Sequence, residues 1–147
     1  IITTNDTAAL TRGAEVVLDW RPEESLNLSF TYSFLDVEID APATAIDGQA
    51  PEGRSPRHQA NVRVHWAANE RLAIDTSVYF VEELPDFDIE AYVRTDLRVS
   101  YRLTERVQFD LVAQNLLDDA HREFTAAGDA NAAAIRHTLF GRLTWRP

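Results

Sequence analysis

Alternation of apolar and polar residues with a period of two constrains this chain more than any other feature. Successive side chains of an extended strand point to opposite faces, so such a pattern describes a strand with one greasy and one wet side. From Leu26 one phase reads Leu26, Leu28, Phe30, Tyr32, Phe34, and the other Asn27, Ser29, Thr31, Ser33. Ala14, Val16, Leu18 and Trp20 alternate with Glu15, Val17 and Asp19, and Ala60, Val62, Val64 and Trp66 with Gln59, Asn61, Arg63 and His65. Leu72, Ile74, Thr76, Val78 and Phe80 face away from Asp75, Ser77 and Tyr79. Val93, Leu97, Val99 and Tyr101 oppose Arg94, Asp96, Arg98 and Arg102. Val107, Phe109, Leu111 and Ala113 oppose Gln108, Asp110 and Gln114; Leu139, Gly141, Leu143 and Trp145 oppose Thr138, Arg142 and Thr144. The Ala-rich stretch Ala130 to Ile135 suits a turn of helix but is too short to stand alone. The pattern predicts an all-β chain, an antiparallel up-and-down meander of about seven amphipathic strands.

Composition narrows the class. The chain has 147 residues, 45% hydrophobic and 26% charged, which is normal for a folded domain. Lys plus Arg total 14 against 24 Asp plus Glu, a formal charge of −10. No nucleic-acid partner is expected, because affinity for a phosphate backbone rests on basic neutralisation. Cysteine is absent, which excludes disulfide scaffolds and thiolate chemistry. No run approaches the roughly 18 apolar residues of a membrane-spanning helix. The chain opens Ile1-Ile2-Thr3-Thr4 and has no methionine, so it is expected to be a processed chain or a piece of a longer one.

Connection lengths carry a second signal. Short links (Pro22 to Ser25, Ala67 to Glu70, Leu103 to Arg106) alternate with long ones, about Val37 to Ser55, Glu82 to Glu90 and Leu116 to Ile135. In a meander all short turns then lie at one end of the sheet and all long loops at the other, the asymmetry of outer-membrane barrels. Aromatic placement agrees. Trp20, Trp66, Tyr101 and Trp145 fall at the short-turn ends of their strands, and Phe34, Phe80 and Tyr92 near the long-loop ends. Trp and Tyr favour a membrane–water boundary, where the ring is in apolar surroundings and the N–H or O–H is wet. The eight steps from Leu26 to Phe34 span about 26 Å at roughly 3.3 Å per residue. Tilted by about 40°, that crosses about 20 Å, close to the apolar band of such barrels. The alternative is a soluble β-barrel or sandwich with the greasy side inward, binding a small apolar ligand, the tryptophans capping its core.

On the polar phase, Asp75, Arg94, Asp96, Arg98 and Asp110 are expected to form a charge ladder across neighbouring strands, lining a wet lumen. No catalytic arrangement stands out: Ser55 and Ser77 lack a His–Asp pairing, and His58, His65, His121 and His137 are scattered. The chain is expected not to be an enzyme and to need no cofactor. The acidic run Glu82, Glu83, Asp86, Asp88, Glu90 suits a solvated loop more than a calcium site. His121 with Glu123 suits loop hydrogen bonding more than a metal.

Several segments resemble the C-terminal barrel strands of TonB-dependent outer-membrane receptors. These are Gly13-Ala14-Glu15 with Trp20-Arg21-Pro22, Leu28 to Asp36, Ser55 to Ala60, Tyr92 with Asp96-Leu97-Arg98, Asn115-Leu116-Leu117-Asp118 with His121 and Glu123-Phe124, Arg136, and Leu143-Thr144-Trp145-Arg146. The resemblance runs over nearly the whole chain, 1–147. It implies a C-terminal portion of a large transmembrane β-barrel in the bacterial outer membrane, closed by a plug, taking up a siderophore-bound iron, cobalamin or a similar scarce ligand. It further implies contact with outer-membrane lipid, the rest of the barrel and plug, and TonB through an N-terminal box; neither box nor plug is in this chain. The family usually closes on an aromatic residue, whereas this chain ends Trp145-Arg146-Pro147.

Overall fold

A computed structural model describes residues 8–40, 52–118, 120–123 and 134–147. Their backbone is almost entirely extended. The strands are β1 (Ala8–Glu23), β2 (Leu26–Asp40), β3 (His58–Ala67), β4 (Leu72–Val81), β5 (Tyr92–Arg102), β6 (Val107–Gln114), β7 (Ala120–Arg122), β8 (Ala134–Arg136) and β9 (Thr138–Trp145). Two single-turn 3-10 helices, Glu52–Arg54 and Pro85–Phe87, interrupt the loops. Among the described residues no helix is long and apolar enough to cross a membrane, which says nothing of strands.

Seven strands form one sheet in the order β1-β2-β3-β4-β5-β6-β9, each antiparallel to its neighbours, and β7 with β8 make a separate two-stranded sheet. The order is sequential because each short turn lets the chain return beside itself. Asn69 and Thr104 make two of these turns. The Asn69 side-chain oxygen accepts the backbone N–H of Arg71 and Leu72 at 2.9 and 3.0 Å. Thr104 Oγ1 accepts those of Arg106 and Val107 at 3.2 and 3.1 Å. Both bridge donors that a tight turn leaves without ladder partners. Near the first turn the β1–β2 register shifts between Trp20 and Glu23, where Pro22 has no N–H to donate.

The register puts like with like. One row across the sheet runs Leu18, Phe30, Val62, Val78, Thr95, and another runs Asn27, His65, Asp75, Arg98. Because parity is preserved from strand to strand, apolar stripes fuse into one face and polar stripes into the other. Among the described residues no second layer covers the apolar face. Leu18 is 59% exposed, Val62 39% and Leu143 67%, and the only buried apolar side chains among the described residues are Ile89 and Ala113. A sandwich or closed soluble barrel with a dry centre is therefore not what these strands build: the greasy stripes do not meet, and β1 and β9 remain unpaired edges.

Several boundaries differ from the sequence reading. β2 runs on to Asp40, beyond the expected loop start at Val37, because β1 extends back to Ala8 and supplies partners. Residues 41–51 and 124–133, which hold much of two long connections, lie outside the described residues, as does Phe124. Of the stretch expected to turn as a helix, residues 130–133 also lie outside, while Ala134 and Ile135 belong to β8 and pair with Arg122 and His121. Pairing across the hairpin overrides alanine's helical preference there.

Replacing Asn69 with Ala removes two turn hydrogen bonds and should lower stability by about 1 kcal/mol. A drop in the unfolding midpoint of the full-length protein, with Glu70→Ala as an unaffected control, checks this.

Candidate functional site

The hydrophilic face and the loop end above it hold most of the directed polar chemistry. Asp75, Arg94, Asp96, Arg98 and Asp110 share that face, but they gather into three clusters rather than one continuous ladder. In the first, Arg98 donates from Nε and Nη2 to Asp75 Oδ2 at 3.0 and 2.8 Å, while Asp75 Oδ1 lies 2.7 Å from His65 Nδ1. The register row His65, Asp75, Arg98 sets this up. In the second, Asp110 is fully buried and takes Ser100 Oγ at 2.6 Å, Gln108 Nε2 at 2.8 Å, and Arg142 Nε and Nη2 at 3.0 and 2.8 Å. Ser100, Asp110 and Arg142 again form one row. A buried carboxylate stays charged when several donors replace its water, and here both oxygens are engaged.

The third cluster is at the long-loop end. Arg94 forms a two-pronged bond with Asp96 on its own strand, Nε to Oδ1 at 3.0 Å and Nη2 to Oδ2 at 2.9 Å, and reaches Glu123 Oε1 at 3.4 Å. Asp96 Oδ1 also accepts the backbone N–H of Asn115 at 3.1 Å. Asn115 is fully buried in the left-handed region at φ 55°, a conformation asparagine tolerates better than most residues. Its side-chain amide donates to the Ile135 carbonyl at 3.1 Å, so it ties the end of β6 to β8. His121 stacks on Tyr92 with ring centroids 4.1 Å apart. Its Nδ1 lies 2.6 Å from Asp118 Oδ2 and its Nε2 3.1 Å from Glu123 Oε1. Beside these residues a cleft of about 560 Å³ opens between residues 88–93 on one side and 117–118 with 120–122 on the other.

Tyr92 corrects the sequence reading. It pairs with Val81 and shares parity with Arg94, so it lies on the hydrophilic face against His121 rather than in the apolar aromatic set. Its position near the long loops was right, its phase was not. Trp20, Trp66, Tyr101 and Trp145 sit on the apolar face at the short-turn end, 59%, 46%, 42% and 65% exposed. Phe34 and Phe80 sit on that face at the other end, Phe34 packed against the His58 ring at 5.2 Å. One step beyond Phe34 the same phase becomes charged: Asp36 stands opposite Arg12 and ion-pairs with Arg57 at 3.5 Å, and Arg12 reaches Glu38 at 3.9 Å.

The acidic loop is occupied with its own structure. Glu82 accepts the His58 backbone N–H at 2.9 Å, and Asp86 pairs with Arg54 at 3.8 Å. Among the described residues no group of three acidic or histidine side chains converges as a metal site. His65, Ser100, Gln108 and Arg142 were absent from the expected ladder. Parity alone places them on the right face, but pairing them with particular carboxylates needs the strand register.

Asp110→Asn should remove the charge that Arg142 answers and cost about 2 to 4 kcal/mol. A clear fall in the unfolding midpoint of the full-length protein, larger than that for exposed Glu105→Gln, checks this.

Comparison with known proteins places the fold. A sequence model described as TonB dependent receptor-like, beta-barrel matches residues 1–116. No match was found among curated proteins. Among solved structures, the ferric-catecholate import receptor Fiu from E. coli K12, in its closed form, superposes with a TM-score of 0.73 at 16% identity. That superposition spans 92% of this chain and 21% of Fiu. A chain from the FpvAI–pyocin S2 complex superposes with a TM-score of 0.69 at 15% identity, over 93% of this chain and 19% of that one. The chain thus spans about a fifth of these structures, as one stretch of strands. A sequential antiparallel sheet with one apolar and one hydrogen-bonded face, matched by the family over residues 1–116, makes this chain a member of the TonB-dependent receptor-like β-barrel family.

Proposed function

We propose that the chain is a C-terminal portion of the barrel wall of an outer-membrane receptor that imports a siderophore-bound metal or a similarly scarce ligand. One observation carries this reading: most apolar side chains of seven neighbouring strands share a single uncovered face, while Asp75 with Arg98, Arg94 with Asp96, and Asp110 with Arg142 pair on the other. In a bilayer every backbone polar group must be satisfied within the protein, and a closed barrel of such strands achieves this. The free edges β1 and β9 then pair with strands of the remaining barrel rather than with solvent.

The exposed tryptophans at the short-turn end mark one lipid boundary, and the change from Phe34 to Asp36 and Arg12 marks the other. β1 and β2 continue past that second boundary, to Ala8 and Asp40. The paired charges stiffen the wall and keep its inner side wet. Residues of this chain contribute wall and external loops, with no bond-making chemistry of their own. Import of an iron chelate is supported by the name of Fiu, and TonB would supply energy through an N-terminal part.

Two measurements test the reading. The full-length protein should fractionate with the outer membrane and show heat-modifiable gel mobility; recovery as a soluble protein without it would refute the proposal. Val62→Lys, in the middle of the apolar face, should destabilise by about 2 to 4 kcal/mol, as charge facing mid-bilayer lipid does. Asn61→Lys, one residue along and on the opposite face, should cost much less. Equal effects of the two in a lipid-refolding assay would contradict an outward-facing apolar side.

A further inference from the structure

We propose that the loop between β2 and β3 braces the 84–89 turn, and through it one wall of the cleft beside Tyr92, with Gly53 as the positioning residue that lets the brace close. The turn is bonded to itself. Leu84 and Ile89 exchange backbone hydrogen bonds at 2.8 and 3.2 Å, and the N–H groups of Phe87 and Asp88 donate to the carbonyls of Leu84 and Pro85 at 3.0 and 3.2 Å. Its root, Ile89, is 3% exposed. A turn closed in this way moves as one unit, so a displacement on one side reaches the other. Asp88, Ile89 and Glu90 give onto the cleft, whereas Asp86 and Phe87 meet the neighbouring loop.

The single-turn helices Glu52–Arg54 and Pro85–Phe87 make that contact. A Cβ built on Gly53 would overlap Asp86 Oδ1, and would lie 2.8 Å from its Cγ and 3.1 Å from its backbone nitrogen. Only glycine permits this approach without displacing the Asp86 carboxylate. Arg54 completes the brace, with Nε 3.8 Å from Asp86 Oδ2 and its guanidinium carbon 5.9 Å from the centre of the Phe87 ring. A cavity of about 270 Å³ opens beside Gly53, lined by Ser55 and Arg57 from one loop and Glu82, Glu83 and Pro85 from the other. The loops are therefore not packed continuously, and the Gly53–Asp86 contact carries the coupling. At the base, the Glu82 N–H donates to the His58 carbonyl at 3.1 Å and the Glu82 carboxylate accepts the His58 N–H at 2.9 Å, which fixes where both loops leave the sheet. Gly53 itself does not line the cleft, so it acts there only through the turn. The inference concerns loop geometry and does not rest on which ligand is imported.

Amide hydrogen exchange of the full-length protein reads the turn. Gly53→Ala should raise exchange of the 84–89 amides at least fivefold, while the wall strands β4 and β5 keep their protection. Asp86→Ala should act in the same direction, because it removes the partner of Arg54. The double variant should exchange no faster than Asp86→Ala alone, since the added methyl then has no carboxylate to displace. A spin-label pair at Ala91→Cys and Ala120→Cys, with any other cysteine replaced, should report a broader distribution of cleft widths in Gly53→Ala. This chain has no native cysteine to interfere. If Gly53→Ala does not assemble, Arg54→Ala, which adds no atoms, takes its place and should raise exchange at least twofold with the same broadening. Unchanged exchange in the turn, single effects that multiply in the double variant, or a cleft width indifferent to the substitution overturns the brace.

Discussion

Backbone hydrogen bonding between antiparallel neighbours governs everything else in this chain. Once β1 to β6 and β9 are zipped side by side, each residue's face follows from whether its position is odd or even in its strand. A slip of one residue anywhere would transfer a whole strand's apolar set to the wet side. Register is protected by the short turns, by cross-strand pairs such as Asp75 with Arg98, and by the concentration of apolar side chains on one face.

The energetic logic differs from that of a domain with a core. Here almost no apolar side chain is buried by the sheet itself, so hydrophobic stabilisation must come from what lies against the outer face. In the outer-membrane setting proposed above, lipid would supply it. The inner face is stabilised by another route, in which carboxylates and guanidinium groups satisfy one another while the sheet shields them. Asp110 is the extreme case, fully buried with four donor atoms around it. Such groups add specificity of register as well as stability, since Ser100, Asp110 and Arg142 meet only when three strands are correctly aligned.

The loop end obeys a further constraint. Beyond β6 the chain must leave the main sheet, and Asn115 makes the departure by adopting a left-handed backbone and bonding to both Asp96 and Ile135. The result brings Asp118, His121 and Glu123 over β5. There the loop is organised by charge pairing, by ring stacking and by one buried apolar side chain, Ile89.

Fold class, strand count in the main sheet and the placement of short and long connections were all legible in the sequence, because a period of two and clustered turn residues are local signals. So was membership of the hydrophilic face for Asp75, Arg94, Asp96, Arg98 and Asp110. Tyr92 was misread because its aromatic character outweighed its parity with Arg94. The extension of β2 to Asp40 and the strand character of Ala134 and Ile135 were not legible, since both depend on partners supplied from elsewhere in the chain. The meeting of Arg142 with Asp110, and of His121 with Tyr92, belongs wholly to tertiary structure. Alternation tells which side of a strand a residue occupies, but only pairing across long connections tells which neighbour it finds there.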